Sequence, residues 1–297
     1  MNITFSYLTN RKNPRIEWFI ESLHRQIAVM FRSHQIVVVD TYKDERPLNI
    51  ECASLVHVKP KPCVWQGEFK LTKEDWFAAS NARNTALCYA PDGYIVYVDD
   101  LSVLMPGWLQ AVREGVETGK VICGSYKKVK NLKVENGVPT SYDEFTGGLD
   151  SRVRFAPTNP FPCDGGWLYG CSCAIPVEAL LTINGWPEDL CDGLGSEDSC
   201  CGLALQNAGY QFVYDQRMLT LESEEGHHEE PALIRRDYGV SPNDKSHSAL
   251  NIALQSKRFP NHTDFRQLRQ SILAGGSFPI DQIPEHDWFT KTPLKDL

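Results

Sequence analysis

Two hydrophobic patterns alternate along the first 126 residues. Short unbroken apolar runs, ITFSYL (3–8), QIVVVD (35–40), SLVHV (54–58), YIVYV (94–98) and VICGSY (121–126), read as strands covered on both faces. Between them apolar residues recur at helical spacing. In residues 15–30 they are Ile16, Phe19, Ile20, Leu23, Ile27 and Met30; a helix over 73–90 places Trp76, Ala79, Ala86 and Leu87 inward; a third runs from about Trp108 to Thr118. Strand–helix–strand alternation of this kind predicts an α/β fold, a mostly parallel sheet flanked by helices. Ligands of such sheets lie beyond the carboxyl ends of the strands. Asp40, Asp99 and Asp100 all stand at those ends and are expected to face one crevice.

After Tyr126 the pattern changes. KKVKNLKVENGVPTSY carries four lysines in seven residues and then Asn136-Gly137, a turn signal that predicts a projecting hairpin with a solvated lysine face. Residues 146–170, rich in Gly, Pro and Asn, read as a long loop. Order resumes with CSCAIP, the short helix VEALLTI, a turn at Asn184-Gly185-Trp186-Pro187, a helix over about 197–208 and the strand YQFVY (210–214). Beyond about 235 only short helices are signalled, around 245–255 and 264–273. The chain thus divides into a catalytic-type domain over 1–235 and a helical extension over 236–297.

Composition narrows the partners. With 42% hydrophobic and 23% charged residues the chain can bury a sizeable core, and a net charge of −8 gives no bulk attraction to nucleic acid. No signal peptide and no apolar run of membrane-spanning length is present, so a soluble, cytoplasmic protein is expected. Ten cysteines in a reducing compartment read as free thiols; six of them, Cys163, Cys171, Cys173, Cys191, Cys200 and Cys201, lie in one segment, but their spacings do not match paired zinc-ligand motifs.

Four polar clusters carry the chemistry. Asp99-Asp100 after a buried strand places two like charges together, which costs free energy unless a cation sits there. Hard carboxylate oxygens suit Mg²⁺ or Mn²⁺, which bind one or two carboxylates and fill the other positions with phosphate and water. SNARNTAL (80–87) sets Asn81, Arg83 and Asn84 on a helix where they cannot all face the core. Glu197-Asp198 open a helix after a flexible Gly-Ser turn. Capping competes there with a general-base role, since acids are stabilised at a helix amino terminus. ESEEGHHEE (222–230) would ordinarily be solvated surface, yet neutral imidazole from His227 or His228 is a good ligand for Mn²⁺.

In order and spacing, NARNTAL, YIVYVDDLSVLMPGW, GCSCAIPVEALLTINGWPED, GSED and a histidine roughly thirty residues on resemble the GT-A fold glycosyltransferases. Family 2 is the nearest, and GSED is similar to the GGED element of β-galactosyltransferases. The resemblance, over about residues 2–230, implies a Mn²⁺- or Mg²⁺-dependent inverting enzyme that moves a sugar from a nucleotide sugar, a UDP-sugar first of all, to a hydroxyl of a glycan or other acceptor. It implies Thr9, Asn10 and Arg11 in the first nucleotide loop, Asp40 on the base, and Arg83 near the donor. Asp99 falls on the sugar, Asp100 and His228 (or His227) on the metal, Asp198 as base, and Glu197 on donor or acceptor hydroxyls. Trp167, Tyr169 and Trp186 suit acceptor stacking, with core packing the competing reading for Trp186. The sequence departs from the family at Leu101, where a third acid can stand, and at VVVDTYKDE, where DDGSTD is commoner.

Other classes fit less well. A glycoside hydrolase has no use for the Asp99-Asp100 and histidine set. A nucleotidyltransferase would carry a glycine-rich loop where TNRKNP stands, and a non-catalytic carbohydrate-binding module would not keep all four clusters. The histidines give the first prediction. Metal affinity should fall as pH drops through the histidine range, because only neutral imidazole ligates. Alanine at His227 and at His228, one at a time, should single out one position by calorimetry; full activity in both variants and in the double variant would make the segment plain surface.

Overall fold

The computed structural model describes residues 2–27, 34–48, 54–62, 78–191, 196–225, 251–252 and 254–279. Its strands are β1 (Asn2–Thr9), β2 (His34–Asp40), β3 (Leu55–Val58), β4 (Gly93–Asp99), β5 (Ser102–Leu104), β6 (Val121–Glu135), β7 (Val138–Asp143), β8 (Phe161–Cys163), β9 (Ser172–Pro176) and β10 (Phe212–Ser223). The helices are α1 (Ile16–Ile27), α2 (Ala79–Tyr89), α3 (Trp108–Val116), α4 (Val177–Thr182), α5 (Glu188–Cys191), α6 (Glu197–Asn207) and a further helix, Phe265–Leu273.

The sheet order is β3-β2-β1-β4-β9-β6-β10-β5, with β7 on β6 and β8 on β10. Strands β3, β2, β1 and β4 are parallel. Strand β9 enters antiparallel between β4 and β6, which restores the common direction in β6 and β10. Register sets the crevice edge: Thr9 lies beside Asp40, and Leu8 beside Asp99, so the polar strand ends are level.

Side chains alternate across the sheet, as the two-residue period requires. Phe5, Val38 and Val96 face Phe19 and Leu23 of α1 and Trp108 and Val112 of α3. Val37, Val39, Ile95 and Tyr97 face α2, α4 and α6, through residues such as Ala82, Leu180 and Leu205. Phe259, Phe265 and Ile272, from the segment expected to be a separate extension, lie in this second core. Among the described residues no helix is long and apolar enough to cross a membrane.

Several sequence expectations change. Helix α2 begins at Ala79, and residues 63–77, with Trp76, lie outside the described set, as do Met30 and the start of the 245–255 helix. Strand β6 continues nine residues past the predicted Tyr126, because Val129 and Leu132 find apolar cover from Trp18, Val103 and Leu221. The hairpin therefore folds back on the body. Asn136 and Gly137 take φ of 51° and 70°, a pair of left-handed residues that matches the strand twist. A Cβ at Gly137 would stand 2.3 Å from the Ser22 backbone nitrogen of α1, so the tip touches that helix. Strand β10 also outruns its predicted end and passes an irregularity between Asp215 and Leu219. The predicted 146–170 loop contains β8 and two 3-10 turns, Ser151–Phe155 and Gly165–Trp167.

The second of those turns packs backbone to backbone on α6. A Cβ at Gly202 would lie 1.9 Å from the Gly165 carbonyl oxygen, and one at Gly165 2.2 Å from the Gly202 oxygen. Neither obstruction is a side-chain end that can swing aside. Gly202→Ala is therefore expected to destabilise the protein by about 1–3 kcal/mol or more, the cost of overpacking, read from its denaturant midpoint; an unchanged midpoint would show that the two backbones can part freely.

Candidate active site

The centre of the crevice is a buried arginine. Ser80 to Cys88 of α2 are all buried, so Asn81, Arg83 and Asn84 face inward together, against the expectation that they cannot. Helix α2 tolerates this because its polar groups are partnered, the condition for burying them. Arg83 Nη1 donates to Asp198 Oδ1 at 2.8 Å and lies 3.6 Å from Glu197 Oε1, while Nη2 reaches Asp99 Oδ1 at 3.4 Å. Burial works against its charge, yet the three carboxylates hold its pKa above the ordinary arginine value. With 2% of its side chain exposed, Arg83 has no face for a donor. The expected donor contact becomes a tie between acids on two elements, β4 and α6.

Two neighbours shape that tie. Trp186 lies against the guanidinium, 4.5 Å from ring centroid to carbon, and edge-on to Tyr97 at 5.4 Å. It is fully buried, in the arrangement that the core-packing alternative expects. On another side Gly170 leaves no room: a Cβ there would be 2.0 Å from Arg83 Nη2.

The adjacent acid has its own cation. Asp100 Oδ2 accepts from Thr9 Oγ1 at 2.7 Å and is ion-paired with Arg11 Nε at 2.9 Å. Thr9 Oγ1 in turn accepts from the Arg11 backbone N–H at 3.1 Å, which folds the loop after β1 onto the acid. Burial raises the Asp100 pKa to about 6, with Arg11 and Thr9 opposing and Asp99 adding. Asp99 is raised as well, by burial first and by Asp198, against Arg83. The loop residue Asn10 is half-buried beside them.

Asp40, the residue expected on a nucleotide base, is engaged within the protein itself. Its carboxylate is fully buried and accepts from the Tyr42 N–H at 2.9 Å and from Arg46 Nη1 at 2.6 Å; His57 Nε2 is 3.1 Å away. The same Arg46 donates to the carbonyls of Arg11 and Lys12 at 2.7 and 2.8 Å. Asp40 thus anchors the loop that carries Arg11, leaving no oxygen turned to a ligand.

On the far side Trp167 and Tyr169 are half-buried in a wall of rings. Trp167 packs on Phe161 and Tyr214, and Tyr169 on Tyr126 and on the Arg152 guanidinium at 3.9 Å. Arg152 is held by Asp150 at 2.8 Å. Glu197 and Asp198 stand in the first turn of α6, whose N-cap residue Ser196 makes no side-chain capping hydrogen bond.

Glu222 was missed by treating 222–230 as one charge run. It lies in the buried last stretch of β10 opposite Ser102, is 6% exposed, and accepts from Thr220 Oγ1 at 3.0 Å. Burial, then the Asp99 charge, raises its pKa to about 8. The alternation in MLTLES, which continues the strand, was the available signal. His227 and His228 lie outside the described residues.

Among the described residues no group of three His, Cys, Asp or Glu could hold a metal ion unaided. The donor set still suits a hard divalent ion of the kind that takes one or two carboxylates plus phosphates and water. Asp100 engages Thr9 and Arg11 through Oδ2 and has no hydrogen bond at Oδ1 among the described residues.

No protein-family model matches the chain, and no curated protein sequence does. Solved structures do. S. aureus TarS 1–349 in complex with UDP-GlcNAc matches over 93% of this chain and 71% of that one, at 15% identity and a TM-score of 0.55. GalNAc-T7 with UDP, GalNAc and Mn²⁺ matches over 98% of this chain and 56% of that one, at 12% identity and a TM-score of 0.52. The chain therefore spans little more than half the length of the GalNAc-T7 chain. The likeness is one of architecture: this chain has the GT-A glycosyltransferase fold.

The raised pKa of Asp100 makes a signed prediction. A carboxyl whose folded pKa lies above its unfolded value adds stability below the unfolded pKa and loses it as pH rises through the folded one. Asp100→Asn should remove that dependence between about pH 4 and pH 7, a difference of up to about 3 kcal/mol for a two-unit shift. Melting curves of both proteins across that range check it; parallel pH profiles would refute it.

Proposed function

We propose that this chain is an inverting, divalent-metal-dependent glycosyltransferase that takes a sugar from a nucleoside diphosphate donor, a UDP-sugar in the first instance, to an acceptor hydroxyl. One observation carries the reading. A single buried guanidinium ties Asp99, at the end of β4, to Asp198, at the start of α6, with Asp100 one residue further along. The fold supports it, and UDP-GlcNAc in TarS and UDP with Mn²⁺ in GalNAc-T7 favour the same donor class and ion type.

In this reading Asp198 accepts the proton of the acceptor hydroxyl as that oxygen attacks the anomeric carbon from the face opposite the diphosphate. One displacement inverts the configuration. Arg83 holds the base in orientation, and its rigidity is useful because a misplaced group loses most of its advantage. Asp99, 36% exposed at its side chain, meets sugar hydroxyls; Glu197 lies beside the base for further hydroxyl contacts. Arg11 keeps positive charge beside the diphosphate. A divalent ion, when bound, would neutralise charge on the leaving diphosphate; Asp100, with His228 or His227, would hold it. Trp167 and Tyr169 form the acceptor wall, an aromatic surface suited to a sugar ring. The catalytic unit is proposed to comprise residues 1–235.

Asp198→Asn tests the reading. It keeps shape and removes basicity, so transfer should fall on the order of 10²–10⁴-fold while Mn²⁺-dependent UDP affinity, by calorimetry, stays near the wild-type value. Transfer at the wild-type rate would remove Asp198 as the base.

A further inference from the structure

The turn that carries Trp186 is held from two directions. Asn184 and Gly185 both take left-handed backbone, with φ of 64° and 78°, a costly conformation for a non-glycine residue that persists only where its surroundings enforce it. From α2, Asn84 accepts from the Trp186 N–H at 2.8 Å and donates to the Trp186 carbonyl at 3.1 Å. Its Nδ2 also donates to Glu188 at 2.9 Å, and the same buried carboxylate is paired with Lys61 at 2.6 Å.

The second hold comes from the segment beyond the catalytic body. Asn261 Nδ2 donates to the carbonyls of Asn184 and Trp186, each at 2.8 Å, and Asn261 Oδ1 accepts from the Asp189 N–H at 3.2 Å. Asn184 answers it: its Oδ1 accepts from the Phe265 N–H at 3.1 Å and its Nδ2 donates to the Thr263 carbonyl at 3.0 Å. The Phe259 N–H closes the set on the Ile183 carbonyl at 2.8 Å. Few segments of nearby surface are pinned so fully by side-chain amides, and what they pin is the seat of the ring beneath Arg83.

We infer that Asn261 is a positioning residue for the Arg83–Asp198 pair, acting through the Asn184–Asp189 turn and Trp186. The inference rests on reading Asp198 as the base. Loss of Asn261 frees the turn, shifts Trp186 from the guanidinium and lets Arg83 and Asp198 leave their fixed geometry. The donor-side contacts of Thr9, Arg11 and Asp100 are not touched by this route.

The test uses the full chain with Asn261→Asp, which keeps the acceptor but turns a carboxylate toward two carbonyls, and the milder Asn261→Ser. Arg266→Ala is the control: it removes an exposed pair with Glu178, at 2.9 Å, on the same segment. Hydrogen exchange and UDP-sugar transfer are measured on all three at a temperature where each is folded. Exchange should rise on the order of tenfold in peptides from 78–90 and 196–207, as local opening does when a hold is lost. The kcat should fall by up to about 10²-fold, as for a misplaced catalytic group, with donor KM unchanged; Arg266→Ala should behave as wild type. Three results would overturn the inference: exchange confined to 257–273 with kcat unchanged, a parallel loss of kcat in Arg266→Ala, or global unfolding of both Asn261 variants alone. If the wild-type protein transfers no sugar from any nucleotide donor, the functional reading fails by itself, and the exchange data still decide whether Asn261 sets the turn.

Discussion

A cation buried among acids organises this molecule. Removing one guanidinium from water costs several kcal/mol, about the scale of a whole domain's net stability, so Arg83 stays where it is only because three carboxylates and an indole face surround it. Those partners come from three pieces of the chain: Asp99 from β4, Glu197 and Asp198 from α6, Trp186 from the turn before α5. The energetic requirement of one side chain thus fixes the relative placement of the sheet edge, the helix that carries the proposed base, and the turn between them. The lack of space at Gly170 belongs to the same requirement, since any side chain there would displace the charge.

The loop after β1 follows a similar logic with different partners. Arg46 joins the end of β2 to the loop after β1 through Asp40 and two carbonyls, and the loop then presents Arg11 to Asp100. Two arginines, Arg11 and Arg83, therefore answer the puzzle of adjacent aspartates after an apolar strand. One serves each acid. The proposed metal would add to this compensation at Asp100 rather than supply it alone.

Much of the architecture was readable because period and burial coincide. Apolar runs ending in acids marked β2 and β4, and the helical spacing of α1 and α3 survived with small changes at the ends. What escaped was information held in pairs of distant residues. Nothing local tells that Asn81, Arg83 and Asn84 can all turn inward; their partners, Glu188, Asp198 and Trp186, are about a hundred positions away. The partners of Asp40 escaped for the same reason, because Arg46 and His57 reach its oxygens only after the strands pair. The hairpin of β6 and β7 looked solvated because its lysines are counted easily, whereas the cover that Trp18 gives Val129 and Leu132 exists only in three dimensions. Glu222 was hidden in an acidic run whose first member belongs to a strand while Glu224 and Glu225 lie beyond its end.

The antiparallel strand β9, set between β4 and β6, decides where the chain on either side of it emerges. Because β9 runs against its neighbours, its first residue rather than its last meets the crevice: Ser172 pairs with Val98, and the Asp99 N–H donates to the carbonyl of the preceding Cys171. The chain between β7 and β9, which carries Trp167 and Tyr169, thereby returns to the sheet at the crevice side. Everything after β9 starts at the opposite rim and must return past α2 before α6 can begin. Strand polarity at one position thus decides which stretch of the chain meets the crevice and which leaves from the opposite rim.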